Sequence, residues 1–350
     1  MLTPRTGRTC RLSLLLAVAL AALLFFAGGA EASVGDRLVE FRECVEVCLR
    51  ENCSPESKPT TIPLHRRLLF WDCPSECDYA CQHIITSRRL SAGHAVVQFH
   101  GKWPFRRLLG AQEPLSVLFS LGNLAAHWRG LRRLRAAVPA SYTLLPFYEW
   151  YAYLGIAAWV FSAVFHTRDS NATERLDYFA AGATVLYGLY YTPVRLLRLD
   201  LPAASSPSSS SASGGRRRPW RPALRAWTAL CLAAYAAHVC YLTLWKWDYG
   251  YNMAANVACG AVQNVLWGWY SWDKYRRSRR PWAVWPGIAV AWVTLAMSLE
   301  LFDFPPLWGS VDAHSLWHLG TIAPTVLWYN FLIKDALDDI AGEERLKLKA

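Results

Sequence analysis

Beyond residue 110 the chain alternates between apolar stretches and short polar or basic connections. Seven apolar segments fall near 114–128, 142–166, 174–194, 222–244, 252–272, 282–302 and 314–333. Most approach the ~20 residues that an α-helix needs to cross a hydrocarbon core. The pattern therefore predicts an all-α membrane protein built as a seven-transmembrane helix bundle. The first segment is the shortest: it contains Asn123 and ends at His127, and flanking residues from Phe105 onward are available to lengthen it. Residues 33–110 are mixed in polarity and predict a small extramembrane domain. Ahead of them, Arg5, Arg8 and Arg11 precede the apolar run LSLLLAVALAALLFFAGGA and a set of small residues. That layout predicts a signal peptide cleaved near Ala30 or Ala32, with a retained anchor as the alternative. The expected division is 1–32 signal peptide, 33–110 extramembrane domain, 111–334 bundle and 335–350 tail.

Composition supports a membrane setting. The 350 residues are 53% hydrophobic, and 18 Trp with 16 Tyr suit the aromatic belts of a bilayer interface. The net charge of +11 does not argue for nucleic acid, because its arginines lie in short runs between apolar segments and not on one basic face. Those runs set the orientation. Arg129, Arg132, Arg133 and Arg135, then Arg195, Arg198 and Arg216 to Arg218, then Lys274, Arg276, Arg277, Arg279 and Arg280 occupy alternate connections. The opposite connections hold little beyond Arg168 and Lys246. By the positive-inside rule the basic loops and the C-terminus are cytosolic and the N-terminal domain is lumenal, the side a signal peptide also predicts. SSPSSSSASGGRRRP, residues 205–219, reads as a flexible cytosolic linker. Sequons at Asn52 and Asn171 fall on the lumenal side, as in a glycoprotein.

Six of the ten cysteines, Cys44, Cys48, Cys53, Cys73, Cys77 and Cys81, follow the signal directly. Six in a short exported segment point to three disulfides, with a zinc knuckle as the rival that an oxidising compartment disfavours. Each triplet lies along one helix face. Two such helices packed antiparallel would nest Cys44 with Cys81, Cys48 with Cys77 and Cys53 with Cys73, one of fifteen possible connectivities. Cys231, Cys240 and Cys259 sit in apolar stretches and read as small core residues.

Five polar residues in or beside the apolar segments carry candidate chemistry: Ser162 and His166, Asp177, and His314 and His318. Such groups near lipid are costly and mark functional sites. Ser162/His166 and His314/His318 are each four apart, so each pair shares a helix face. In the expected topology the second span ends, and the third and seventh begin, on the lumenal side. All five then share one depth although about 150 positions separate them. Three imidazoles with an open fourth position form the ligand set of a catalytic zinc site. Asp177 is the candidate proton carrier, and Ser162 could hydrogen-bond the reacting water or an oxyanion. Singly each residue has a plainer reading: an interfacial histidine, a helix-packing serine, an aspartate at a helix start. His127 and His238 lie at other depths and are expected to hydrogen-bond within the bundle. Glu300 and Asp303 could support a histidine N–H, and Asp248 is either a headgroup contact or a loop residue.

Ser162-x3-His166, Asp177 eleven positions on, and His314-x3-His318 on the last span resemble the signature of the CREST superfamily of seven-span membrane hydrolases, which includes alkaline ceramidases and adiponectin-type receptors. Within it, the cysteine-rich segment, KWPFRRLLGAQEPLSVLFSLGN (102–123), VFHTRDSNATERLDYF (164–179) and WDYGYNM (247–253) are similar to the GPI-remodelling phospholipase branch. The resemblance implies a zinc-dependent acyl-ester hydrolase that removes the unsaturated sn-2 fatty acid from GPI anchors. It implies metal ligands at His166, His314 and His318, with Ser162 and Asp177 as the catalytic polar pair. GPI-anchored proteins and membrane lipids are the expected partners, and nucleic acid is not. The tail RLKLKA spaces Lys347 and Lys349 unlike a dilysine retrieval signal, which favours the Golgi membrane over the endoplasmic reticulum. A ceramidase-like amide hydrolase and a receptor or accessory protein with structural zinc are the alternatives.

Overall fold

The computed structural model describes residues 33–54, 62–201, 222–301 and 303–347. The expected signal peptide and Ser/Gly linker lie outside the described residues. Four helices come first: α1 (Val34–Arg37), α2 (Val39–Asn52), α3 (Leu64–Leu68) and α4 (Cys73–Ser91). Seven longer ones follow: α5 (Pro114–Ala137), α6 (Leu145–Thr167), α7 (Asn171–Leu197), α8 (Pro222–Cys240), α9 (Tyr249–Ser278), α10 (Trp285–Leu301) and α11 (Ala313–Lys347). No strand occurs among the described residues, only isolated bridges across tight turns. The all-α expectation holds.

Helices α2 and α4 pack on each other and are joined by Cys44–Cys81, Cys48–Cys77 and Cys53–Cys73. The nested arrangement follows from cysteines one helical turn apart on two facing helices, which lets each rung meet its counterpart. Phe41, Ile85 and Phe99 fill the small core beside them. Asp72 caps α4, its Oδ1 accepting from the Ser75 backbone N–H at 2.9 Å.

The long helices close into a ring: α5 packs on α6, α6 on α7, α7 on α9, α9 on α10, α10 on α11, and α11 back on α5. Helix α8 lies outside, packed mainly on α7. Two helical stretches, Pro222–Trp245 and Pro281–Leu299, are long and apolar enough to cross a membrane. The others carry polar interior groups or many Tyr and Trp, which lowers their hydropathy. One half of the ring is filled by Leu134, Tyr148, Tyr191, Val194, Trp267, Tyr329, Phe331 and Leu332, all essentially inaccessible. Close helix approach there needs glycine. A Cβ on Gly130 would run into the Tyr329 ring, and one on Gly155 into the His127 ring. Charge is also buried at this end: Arg195 holds Asp335 through bonds of 2.6 and 2.9 Å.

Three expectations shift. The first apolar segment extends C-terminally through its arginines to Ala137, while Phe105 belongs to the preceding loop. Its apolar run is short because its buried face is polar. Helix α11 continues to Lys347 with Asp335 and Ala336 buried, so the bundle reaches past residue 334. Of the three cysteines assigned to the core, Cys231 is buried but Cys240 is exposed and Cys259 intermediate. Cys240 lies at the end of the outlying α8, where none of the described helices covers it.

Candidate metal centre

The opposite half of the ring is polar. His166 lies in the last turn of α6, and His314 and His318 in the first turns of α11. The start of α11 is fixed by Asp312, whose Oδ1 accepts from the Ser315 N–H at 2.9 Å while the Ser315 hydroxyl accepts from the Asp312 N–H at 3.1 Å. This reciprocal cap sets the helix start and hence the face that both histidines share. One potential ligand atom from each of the three imidazoles lies within 4.8 Å of the others, so the group could hold a metal ion. His166 Nε2 and His314 Nε2 are 3.3 Å apart although 148 residues separate them in sequence. His166 and His318 are buried.

The outer nitrogens of His166 and His318 are held. His166 Nδ1 lies 2.8 Å from Glu113 Oε2. An N–H donated there leaves Nε2 with a free lone pair, the usual arrangement behind a metal-binding histidine. Glu113 also meets the Lys102 ammonium at 2.5 Å, and Lys102 meets Asp169 at 3.1 Å. Burial pushes the Glu113 carboxyl up, but Lys102, His166 and His314 outweigh it and hold the pKa well below the usual carboxylate range. For Lys102, burial acts downward, and Glu113 and Asp169 more than offset it, so its pKa is raised.

His318 Nδ1 lies 3.0 Å from Ser120 Oγ and 3.3 Å from the Ser116 carbonyl. Ser120 Oγ donates to that same carbonyl at 2.7 Å and lies 3.1 Å from Ser162 Oγ. With its proton so placed, Ser120 accepts from the His318 N–H and from the Ser162 hydroxyl. Asn123 Nδ2 donates to the His318 carbonyl at 2.7 Å. Ser162 and the histidines are thus brought together. Asp177 makes no direct hydrogen bond to them, but its carboxylate interacts electrostatically with His166 and His314.

Sequence reasoning missed Glu113, Lys102, Ser116 and Ser120. A signal existed: Ser116, Ser120 and Asn123 are spaced i, i+4, i+7, a polar stripe on one face of an apolar segment. Nothing local marked Glu113, which meets His166 only through the α5–α6 packing. Other expectations resolve plainly. Asp303 bonds Gln98 and Trp103, not a histidine, while the Glu300 side chain lies outside the described residues. His127 bonds the Tyr329 hydroxyl at 2.9 Å, and His238 lies 3.4 Å from that of Tyr251. Asp248 caps α9 and pairs with Lys246 at 2.9 Å.

Fold and site together define an all-α bundle protein of membrane type, with a disulfide-bridged N-terminal layer and a histidine cluster that could hold a metal. Comparison with known proteins narrows this. The sequence model of the Per1-like family matches residues 63–336, and the chain belongs to that family. It is 41% identical over 323 residues to a Schizosaccharomyces pombe protein named Protein PER1 homolog, covering 91% of this chain and 92% of that one. It is 38% identical over 337 residues to the Homo sapiens protein named GPI-specific phospholipase A2-like PGAP3, covering 94% and 99% respectively. The Xenopus laevis protein of that name is 38% identical over 319 residues, covering 90% and 94%. No solved structure matches the chain.

Proposed function

We propose that this protein is a zinc-dependent hydrolase that removes the unsaturated sn-2 acyl chain of GPI anchors. In this reading seven spans carry the site, residues 33–110 form a lumenal domain, the C-terminus is cytosolic and the protein resides in the Golgi membrane. Relatives named GPI-specific phospholipase A2-like support the substrate class. The observation that carries the chemistry is the convergence of His166, His314 and His318, with the outer nitrogens of His166 and His318 already engaged.

The donor set fits zinc. Two Zn–N bonds of ~2.0–2.1 Å at a tetrahedral angle put the nitrogens about 3.3–3.4 Å apart, and the His166–His314 Nε2 separation is 3.3 Å. Three neutral imidazoles suit zinc and leave a position open. A zinc ion held there supplies Lewis-acid activation of water and of the ester carbonyl. Asp177 takes the proton of the attacking water and returns it to the leaving glyceride oxygen. Ser162 donates its hydroxyl hydrogen bond to Ser120, so it presents lone pairs to the site and orients the attacking water as an acceptor. Glu113 fixes the tautomer and orientation of His166.

The test is His314→Ala in cells lacking the endogenous protein, with GPI lipids read by mass spectrometry and zinc measured in the purified variant. The expected outcome is a folded protein that loses zinc and leaves anchors carrying their unsaturated chain. Normal remodelling by this variant would refute the assignment.

A further inference from the structure

At the end of the bundle where the histidines lie, three turns expose bulky apolar residues in left-handed backbone. Phe70 follows α3 with φ 60°, Leu109 precedes α5 with φ 53°, and Trp308 precedes α11 with φ 54°. Each side chain is more than 80% exposed: Phe70 84%, Leu109 81% and Trp308 83%. Leu68, Leu108 and Leu307 beside them are exposed as well. Leu109-Gly110 and Trp308-Gly309 both pair two consecutive positive-φ residues across an isolated bridge. Asn or Asp suits the first position of such a turn, and a Leu or Trp there is strained. Strain and exposed apolar surface coincide at three places, and no packing among the described residues accounts for either.

The turns form one edge. The Cβ position of Gly110 lies 2.9 Å from Leu69 Cδ1 and 3.7 Å from Arg66 Cγ, which joins the first two turns. The Trp71 indole N–H also donates to the Gly110 carbonyl at 2.8 Å. The Arg106 N–H donates to the Gly309 carbonyl at 2.8 Å, and the Arg106 side chain lies over Gly309, which joins the third. Arg106 and Arg66, the latter paired with Glu76 at 2.9 Å, therefore flank the apolar tips, and Arg67 adjoins Leu68 in the chain. Aromatic and aliphatic tips beside arginines match the interfacial zone of a bilayer, apolar chains below and anionic phosphates above. Reach permits it. Leu109 and Trp308 each stand five residues before a helix start, a span of at most about 18 Å, and the interfacial zone is roughly 5–8 Å thick on each side.

We infer that the edge formed by Phe70, Leu109 and Trp308 inserts into the lipid leaflet at the site's end of the bundle and seats the disulfide-bridged layer on the membrane. The inference rests on the membrane-spanning reading above. The test uses the full chain reconstituted in phospholipid bilayers containing an anionic lipid, with Cys10, Cys231, Cys240 and Cys259 each replaced by serine. An environment-sensitive fluorophore is attached through Leu109→Cys, Phe70→Cys or Trp308→Cys; these tips are exposed, so the variants keep the fold. The control is Leu295→Cys, on the outward face of α10 and 73% exposed. The expected result is that tip probes lose most emission to a lipid nitroxide near the glycerol backbone and little to aqueous iodide. Loss to iodide alone, with the control quenched by lipid nitroxide, would overturn the insertion while sparing the spanning bundle. Tips shielded from both quenchers would indicate a protein partner and also overturn it. A control untouched by lipid nitroxide would overturn the spanning reading and this inference together.

Discussion

Glu113→Gln separates the support of the histidine cluster from the cluster itself. The substitution keeps shape but removes the charge that accepts the His166 N–H at 2.8 Å and meets Lys102 at 2.5 Å. Glu113 is only 4% exposed, so water does not replace what is lost. Removing a carboxylate behind a metal-binding histidine costs about 10–100-fold in metal affinity or activity, which is about 1.4–2.8 kcal/mol. The same loss should follow in zinc affinity measured by chelator competition and in GPI acyl-chain removal in cells. Lys102→Met should give a smaller loss, because the carboxylate still holds His166. Unchanged zinc affinity in Glu113→Gln would refute the orienting role, and a larger effect from Lys102→Met would reverse the order of importance argued here.

Other outcomes follow from the packing. Arg195→Met leaves Asp335, fully buried, without its bidentate partner; the loss should be about 3–5 kcal/mol in unfolding measurements, with Asp335→Leu in the same chain recovering most of it. Gly155→Leu drives a side chain into the His127 ring and should cost about 1–3 kcal/mol or more, whereas Gly260→Ala, with nothing within 4 Å of its Cβ position, should be neutral or slightly stabilising. His100 bonds Asp78 at 2.9 Å, and this contact, against opposing burial, raises its pKa above 6.5. The stabilisation is complete below pH 6.5 and fades as pH rises through the raised value. Thermal unfolding across that window should flatten in His100→Gln, and an unchanged profile would assign the pH dependence elsewhere.

Much of the bundle was legible because helix periodicity and apolar length are local properties. The boundaries that moved did so where tertiary packing overrode composition. Helix α5 runs on through Arg129 to Arg135 because Gly130, Leu131 and Leu134 remain buried on its inner face. Cysteine spacing specified a ladder once two helices were assumed to face each other. The histidine pairs were visible because each pair lies within one helix. Glu113, Lys102 and Ser120 were not, since their roles exist only after α5 packs between α6 and α11. The spacing of Ser116, Ser120 and Asn123 along α5 is the available hint.

Because six helices complete the circle without α8, the polar interior has a full wall on every side before that helix arrives. Leu230 and Leu232 on α8 are 60% and 65% exposed. Evolutionary drift on that outer flank is then answerable to the surrounding oil and to α7, not to the chemistry inside. Helix α8 is the place where this architecture could gain or exchange a companion while leaving the imidazoles undisturbed.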